Sequence, residues 1–226
     1  EWFRMATGKL RSIKSEMGFV ARADGSCSVS AGKSVAWAAV NGPGDSHPSK
    51  RHGDRLYVES CYRPVHGDAE DTTFNTLLRT ALLHTVQSKL FPRAALQVTV
   101  HEMQSDGSMC ALALTAAGMA CLDAAIPMKA PFCGVQVIRV NGELIVDADS
   151  RMEEKADARF DFAISTEKQR DDELSPSPLV IGSSSSGEFS FDQFLLARQL
   201  ACEASKQIFV FFKESLQRKY TVESIA

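Results

Sequence analysis

Long apolar runs are missing from this 226-residue chain. No stretch of about 18 consecutive apolar residues occurs, so a membrane-spanning helix has no support and no membrane association is expected. The opening EWFRMATGKLRSIK lacks the apolar centre of a secretory leader, and an intracellular location is the expectation. Charge of one sign is missing too. Lys and Arg number 25 against 28 Asp and Glu, a net of −3, so no basic field is present to hold nucleic acid unaided. Contact with RNA or DNA would have to be local or shared with partners. The six cysteines (Cys27, Cys61, Cys110, Cys121, Cys133, Cys202) form no CxxC pair, which excludes the usual zinc and disulfide frameworks and reads as reduced, mostly core thiols. GxxxxGK[ST], GxGxxG and GxSxG are all absent, which leaves P-loop, dinucleotide and serine-hydrolase chemistry without support. His47, His52, His66, His84 and His101 are not at ligand spacing, so no metal site is expected from them. With no repeat and no shift in composition, one domain over residues 18–226 is expected, behind a flexible N-terminal extension of residues 1–17.

What is present is an irregular mixture of strand and helix patterns. Gly18 to Val40 alternates in short runs broken at Asp24-Gly25 and Gly32, the pattern of a meander. Asn41 to Gly53 is polar with Gly and Pro and reads as a loop. Arg55–Tyr62 and Leu96–Met103 read as strands. Between Asp71 and Phe91, Phe74, Leu77, Leu78, Ala81, Leu82, Val86 and Leu90 recur at helical spacing, stopped by Pro92. MCALALTAAGMACLDAA is apolar or small on every side, as a helix buried between layers would be. Phe132–Val140 and Glu143–Val146 flank Asn141-Gly142, a strong two-residue hairpin signal. Arg159–Ser165 is a further strand, whereas RDDELSPSP and GSSSSG read as solvated loops. Ser190 and Gln193 form a capping box that opens a long terminal helix, with a stripe of Phe194, Ala197, Ala201, Ala204, Ile208, Phe211 and Phe212. Antiparallel hairpins mixed with crossovers indicate an α+β fold with a mixed β-sheet and packed helices.

Two places carry candidate chemistry. Asp106-Gly107-Ser108 opens the buried helix, where free backbone amides and the helix dipole suit a phosphate. A catalytic anion site would add Arg or Lys, and the next residue is Met109; a simple helix cap at Ser108 is the better-supported reading. The acidic run Asp147, Asp149, Glu153, Glu154, Asp157 and Asp161 has the chemistry for magnesium or for a general acid. Alternation places Arg159 on the Asp161 face, where it competes with a cation, and a solvated charged turn is favoured.

ARADGSCSVSAGKSVAWAAVNGP (Ala21–Pro43) resembles the opening of RNase PH-like proteins, SRxDGSxxxxxGxTxVxAxVxGP. Blocks at Leu77–Arg93, Ser105–Met128, Phe132 onward and Gln207–Tyr220 follow in the same order. AAIPM with FCGV, and the terminal helix, bring the chain closest to the RNase PH-like ring subunits of the eukaryotic RNA exosome. The resemblance implies an RNase PH-type fold (ribosomal protein S5 domain 2-like) and a hexameric ring. It implies partnership with other RNase PH-like subunits, a component 8-like subunit as dimer partner, cap subunits with S1/KH domains, and single-stranded RNA. No cofactor is implied; the nucleus, nucleolus and cytoplasm are the implied locations. Active members bind phosphate at Gly-(Thr/Ser)-Arg and use two acidic residues six positions apart. Here Gly107 and Ser108 match but Met109 replaces the arginine, and Glu153 matches but Arg159 falls on the second acid. The resemblance therefore implies a non-catalytic subunit with degenerate remnants Gly107, Ser108, Met109, Glu153 and Arg159. It implies RNA contact at Lys50, Arg51 and His52, in a loop that aligns with a channel-narrowing HPRH loop, and at Arg79, with Asn75 where a second arginine is usual. An active phosphate-dependent 3′–5′ exoribonuclease and a metal-dependent nuclease acting outside the exosome are the alternatives.

Overall fold

The computed structural model describes residues 10–45, 47–48, 51–65, 72–166 and 178–223. Its centre is the helix that the sequence marks as apolar all round. This helix, α2 (Met109–Asp123), is buried continuously from Ala111 to Cys121 and packs between two sheets. The first sheet has strand order β1-β2-β3-β5-β4: β1 (Ile13–Met17), β2 (Gly25–Ala31), β3 (Ser34–Asp45), β4 (Tyr57–Arg63) and β5 (Ala94–Gln104). All its pairings are antiparallel except β4 with β5, which the helix α1 (Thr72–Thr85) joins as a parallel crossover. The second sheet is antiparallel with order β7-β6-β8-β9: β6 (Phe132–Val140), β7 (Glu143–Val146), β8 (Ala158–Ser165) and β9 (Leu179–Gly187). One-turn α3 (Ser150–Glu153) links β7 to β8, and the 33-residue α4 (Phe191–Glu223), about 50 Å long, packs on β6 and β8.

The close fit of α2 is set by residues that lack side chains. A Cβ on Gly118 would strike the Phe132 carbonyl oxygen, and one on Gly134 would lie 2.5 Å from the Ala111 carbonyl oxygen. Helix and strand backbones therefore touch directly. On α4 the expected stripe is buried at Ala197, Ala201, Ala204, Ile208 and Phe212. Its capping box is formed reciprocally: Gln193 N–H donates to Ser190 Oγ at 3.3 Å, and Ser190 N–H donates to Gln193 Oε1 at 2.9 Å. The Asn141-Gly142 hairpin also forms, with φ of 50° and 82°.

Several expectations differ from the structure. Residues 13–17 are not part of a flexible extension: β1 pairs with β2 over its whole length, and Ile13 and Met17 pack on the core. The polar segment after Asn41 is still strand, because β3 continues to Asp45 past an irregularity and pairs with Ala94 and Ala95. The helix expected to run from Asp71 to Phe91 ends at Thr85. There Val86 bridges to Met128 and Lys129 N–H bonds the Thr85 carbonyl, so tertiary pairing takes over the last turn. GSSSSG is the end of the edge strand β9, since serine is tolerated where one strand face is exposed. Most of RDDELSPSP lies outside the described residues.

Cys27, Cys121 and Cys133 are buried thiols; Cys61, Cys110 and Cys202 are half-buried, so only half of the six are core residues. Burial pushes Cys27, next to the Asp123 charge, and Cys121 up to about 12, and it also raises Cys133. These groups hold their protons at pH 8, and the stability that their neutral burial contributes declines only as pH rises above the ordinary thiol value. A thiol reagent at pH 8 is expected to leave Cys27, Cys121 and Cys133 unmodified until denaturant is added. Gly118→Ala is expected to destabilise the fold by about 1–3 kcal/mol, measured as a lower denaturation midpoint.

Candidate functional site

The start of α2 lies under three converging segments. Gly107 has φ 84°, and a Cβ there would lie 2.5 Å from the Ala148 carbonyl oxygen. Arg11 fixes this turn from the N-terminal side. Its guanidinium donates to the carbonyls of Asp106 (2.9 Å) and Gly107 (3.2 Å) and to Asp147 Oδ1 (2.7 Å), while its backbone N–H donates to Asp147 Oδ2. Ser34 Oγ adds bonds to the Asp106 N–H and the Gly107 carbonyl.

Ser108 stands at the N-cap of α2, as the sequence favours, and its carbonyl accepts from Leu112 N–H, but its side chain does not serve as the cap. It has φ 52°, and its side chain makes no capping bond. Its hydroxyl instead lies 2.9 Å from Gln136 Oε1 and 3.0 Å from the Ala148 carbonyl oxygen. Its backbone N–H, the group expected to face an anion, donates to Glu153 Oε1 at 3.1 Å. The positive end of the helix is thus occupied by a carboxylate of the same chain.

From Glu153 the polar contacts close on themselves. Arg159 Nη1 lies 3.9 Å from Glu153 Oε1, and Arg159 Nε donates to Asp161 Oδ2 at 2.9 Å. Gln136, itself 1% exposed, donates from Nε2 to Asp161 Oδ1 at 2.9 Å and faces Ser108 with its oxygen. Burial lowers the Arg159 pKa, but Asp161 and Glu153 outweigh it and hold the guanidinium above its ordinary value, so it remains charged. Met109 is buried and packs in the hydrophobic core. Behind Ser108 lies a cavity of about 30 Å³, bordered by Thr115, Gln136 and Asp147, with room for about one water.

Gly107, Ser108, Glu153 and Arg159 therefore meet, with Met109 turned into the core beneath them. The acidic run is more than a solvated turn, because five of its six members are held by partners while Glu154 is exposed. Asp147 pairs with Arg11, Asp149 caps α3 by accepting from Met152 N–H, Asp157 lies 3.8 Å from Arg139, and Glu153 and Asp161 share Arg159. Among the described residues no three metal-ligating side chains converge.

The expected RNA-contacting residues lie elsewhere. Arg51 pairs with Asp45, the His52 ring lies 5.7 Å from Tyr57, and the His52 carbonyl accepts from Arg93 N–H. Arg79 is exposed on α1. Lys50 lies outside the described residues. Gln136 and Arg11 were not among the sequence candidates. A lone amide within the apolar strand FCGVQVIRV was the available signal for Gln136; Arg11 had none.

With this geometry in view, the family profile described as "3′ exoribonuclease family, domain 1", the RNase PH family, matches residues 9–127. That is more than half of the chain. The chain belongs to the RNase PH family. It is 35% identical over 216 residues to the Exosome complex component RRP46 homolog of Caenorhabditis elegans, covering 96% of this chain and 98% of that protein. It is 29% identical to the Exosome complex component Rrp41 of Thermococcus kodakarensis, covering 94% and 86%. In structure it is similar to rice (Oryza sativa) Rrp46, with a TM-score of 0.83, 21% identity and coverage of 95% and 98%. An archaeal exosome core matches at a TM-score of 0.74 and 16% identity, covering 91% of this chain and 88% of that one. These structural likenesses carry the fold, an α+β RNase PH fold.

In this RNase PH domain the Glu153–Arg159–Asp161 contacts are the charged core of the site. Arg159→Met leaves Asp161, 7% exposed, without its cation. The Arg159 side chain is 39% exposed, so water screens part of the pair, and a loss of about 1 kcal/mol of stability is expected by urea unfolding. An unchanged midpoint would show that the contacts carry no stability.

Proposed function

We propose that this chain is an RNase PH-like ring subunit of an RNA exosome that acts in 3′–5′ RNA processing and degradation without catalysing phosphorolysis itself. The membership of the ring rests on its relatives. The absence of catalysis rests on one observation: the α2 N-terminus is bonded to Glu153, and Arg159 stands between Glu153 and Asp161.

Removing a phosphate-binding arginine costs about 2–5 kcal/mol, roughly thirty-fold to several thousand-fold in binding. Met109, in the arginine's place, contributes no charge and is already part of the core. The local charges make the loss greater. Arg11 cancels Asp147, and Arg159 offsets only one of Glu153 and Asp161, so an approaching phosphate meets a net negative charge.

The remaining role is as scaffold and channel wall. Other RNase PH-like subunits form the ring, with a component 8-like neighbour and S1/KH cap subunits as the finer assignment. Single-stranded RNA passes the loop that contains Lys50, Arg51 and His52, whose basic side chains meet phosphates without reading sequence, with Arg79 as a further contact. The net charge of −3 suits a subunit that shares its hold on RNA. The nucleus, nucleolus and cytoplasm are the corresponding locations.

The test is incubation of the purified chain with end-labelled RNA and inorganic phosphate. No release of nucleoside diphosphates is expected, whereas co-elution with RNase PH-like subunits of the same source is expected by size exclusion. Phosphate-dependent release would replace the scaffold reading with an active phosphorolytic enzyme. Cleavage that needs magnesium but no phosphate would point to the acidic run.

A further inference from the structure

The inner face of α4 changes character along its length. Up to Phe212 its buried stripe is Ala197, Ala201, Ala204, Ile208 and Phe212, with Ser205 beside it bonding back to the Cys202 carbonyl of the same helix. The same helical spacing then reaches Ser215 and Lys219, and the apolar stripe stops. Beyond Phe212, Lys213, Glu214, Gln217, Arg218, Tyr220 and Thr221 are exposed, and Leu216 is half-buried outside the core cluster. From residue 213 to 221, about two and a half turns, no apolar side chain is fully buried.

Two polar contacts take over where the stripe stops. Ser215, 5% exposed, is hydrogen-bonded through its hydroxyl to that of Ser15 in β1, at 3.0 Å. Lys219 Nζ donates to Asp123 Oδ1 at 2.7 Å, and Asp123 Oδ2 accepts from Ser26 N–H at 2.9 Å. Asp123 is the last residue of α2, where the helix dipole disfavours an anion, and its side chain is 4% exposed. The ammonium of Lys219 offsets the burial of this carboxylate.

The two parts of α4 thus depend on different forces. The first is fixed by apolar area, which is given up only when the core opens. The second is fixed by one ion pair and one hydroxyl pair, and when it lifts away Asp123 and Lys219 both regain water. Segments with few buried apolar contacts open at lower cost than the core. A half-open form is disfavoured, because parting Lys219 from Asp123 while Ser215 stays in place leaves the carboxylate covered and without its cation. That separates a joint opening from ordinary fraying, which starts at the last residue and fades inward.

We propose that residues 213–221 form a strap that opens and closes as one unit over Asp123 and β1 while the rest of the domain stays folded, with the Lys219–Asp123 pair as its clasp. The proposal does not depend on the ring-subunit reading.

Native-state hydrogen exchange of the full chain, read by mass spectrometry on overlapping peptides, gives the test. The amides of residues 215–221 are expected to exchange at one common rate, at least about ten-fold faster than those of residues 197–212, and with a much weaker dependence on urea. Leu78→Ala opens a cavity under α1, in the core and away from the strap; it is expected to speed exchange in α2 and leave the strap rate unchanged. Lys219→Met is expected to speed the strap at least about ten-fold in a chain that still folds, since the opened strap returns Asp123 to water. Lys206→Met, which removes the exposed Lys206–Glu203 pair of the same helix, is the control and is expected to leave the strap rate as it was. Rates that climb steadily toward the last residue would mean fraying and would overturn the strap. Equal protection on both sides of Phe212, or a Leu78→Ala strap rate that rises in step with α2, would show that this end opens only with the core. A Lys219→Met chain that unfolds, or whose strap rate does not change, would overturn the clasp.

Discussion

The approach of α2 to the strands on both sides, close enough that backbone meets backbone, governs the arrangement of the whole molecule. Gly118 against Phe132 and Gly134 against Ala111 on the β6 side, and Gly25 of β2 against the Ala120 carbonyl oxygen on the other, leave no room for side chains. A helix held this tightly cannot slide or turn, so its first residue has a fixed place. The chain must enter it through a tight turn, and Gly107 and Ser108, both at positive φ, make that turn. Arg11 and Ser34 then hold the turn from the first sheet, while Glu153 reaches it from α3. Packing at the middle of the helix thus sets the geometry at its end.

The chemistry at that end follows from electrostatics. Exposed amides at a helix start favour an anion, and a carboxylate supplied by the same chain meets that demand without the entropy cost of capturing a free ion. Glu153 takes this part, and Arg159 then faces two carboxylates. Ser108, Gln136, Asp161, Arg159 and Glu153 satisfy one another in a closed circuit. Such an arrangement resembles a site in shape while its polar groups are already used. The RNase PH fold persists because its stability comes from α2 burial rather than from the groups that would bind phosphate.

Much of this was legible in the sequence, and the parts that were not have physical reasons. The uniform apolarity of α2 announced a helix between layers, Asn141-Gly142 announced a hairpin, and Ser190 with Gln193 announced a helix start; each is a local signal satisfied locally. Met109 and Arg159 stood out because their chemistry was wrong for their positions. The strand at Ile13–Met17 and the serine-rich β9 were hidden, since both are edge strands whose pairing depends on a neighbour distant in sequence. Ser108 holds the cap position, but its left-handed backbone points the hydroxyl at Gln136 and Ala148, partners that no local pattern encodes. Arg11, 136 residues away from Asp147, could be placed only by the fold.

The central claim is that the phosphate place is filled by the chain's own carboxylate and guanidinium. Titration of the folded protein with inorganic phosphate, followed by isothermal calorimetry and by phosphorus NMR line width, tests it most directly. The account predicts no saturable binding up to millimolar phosphate. Saturable binding that is lost on substitution of Ser108 would contradict it.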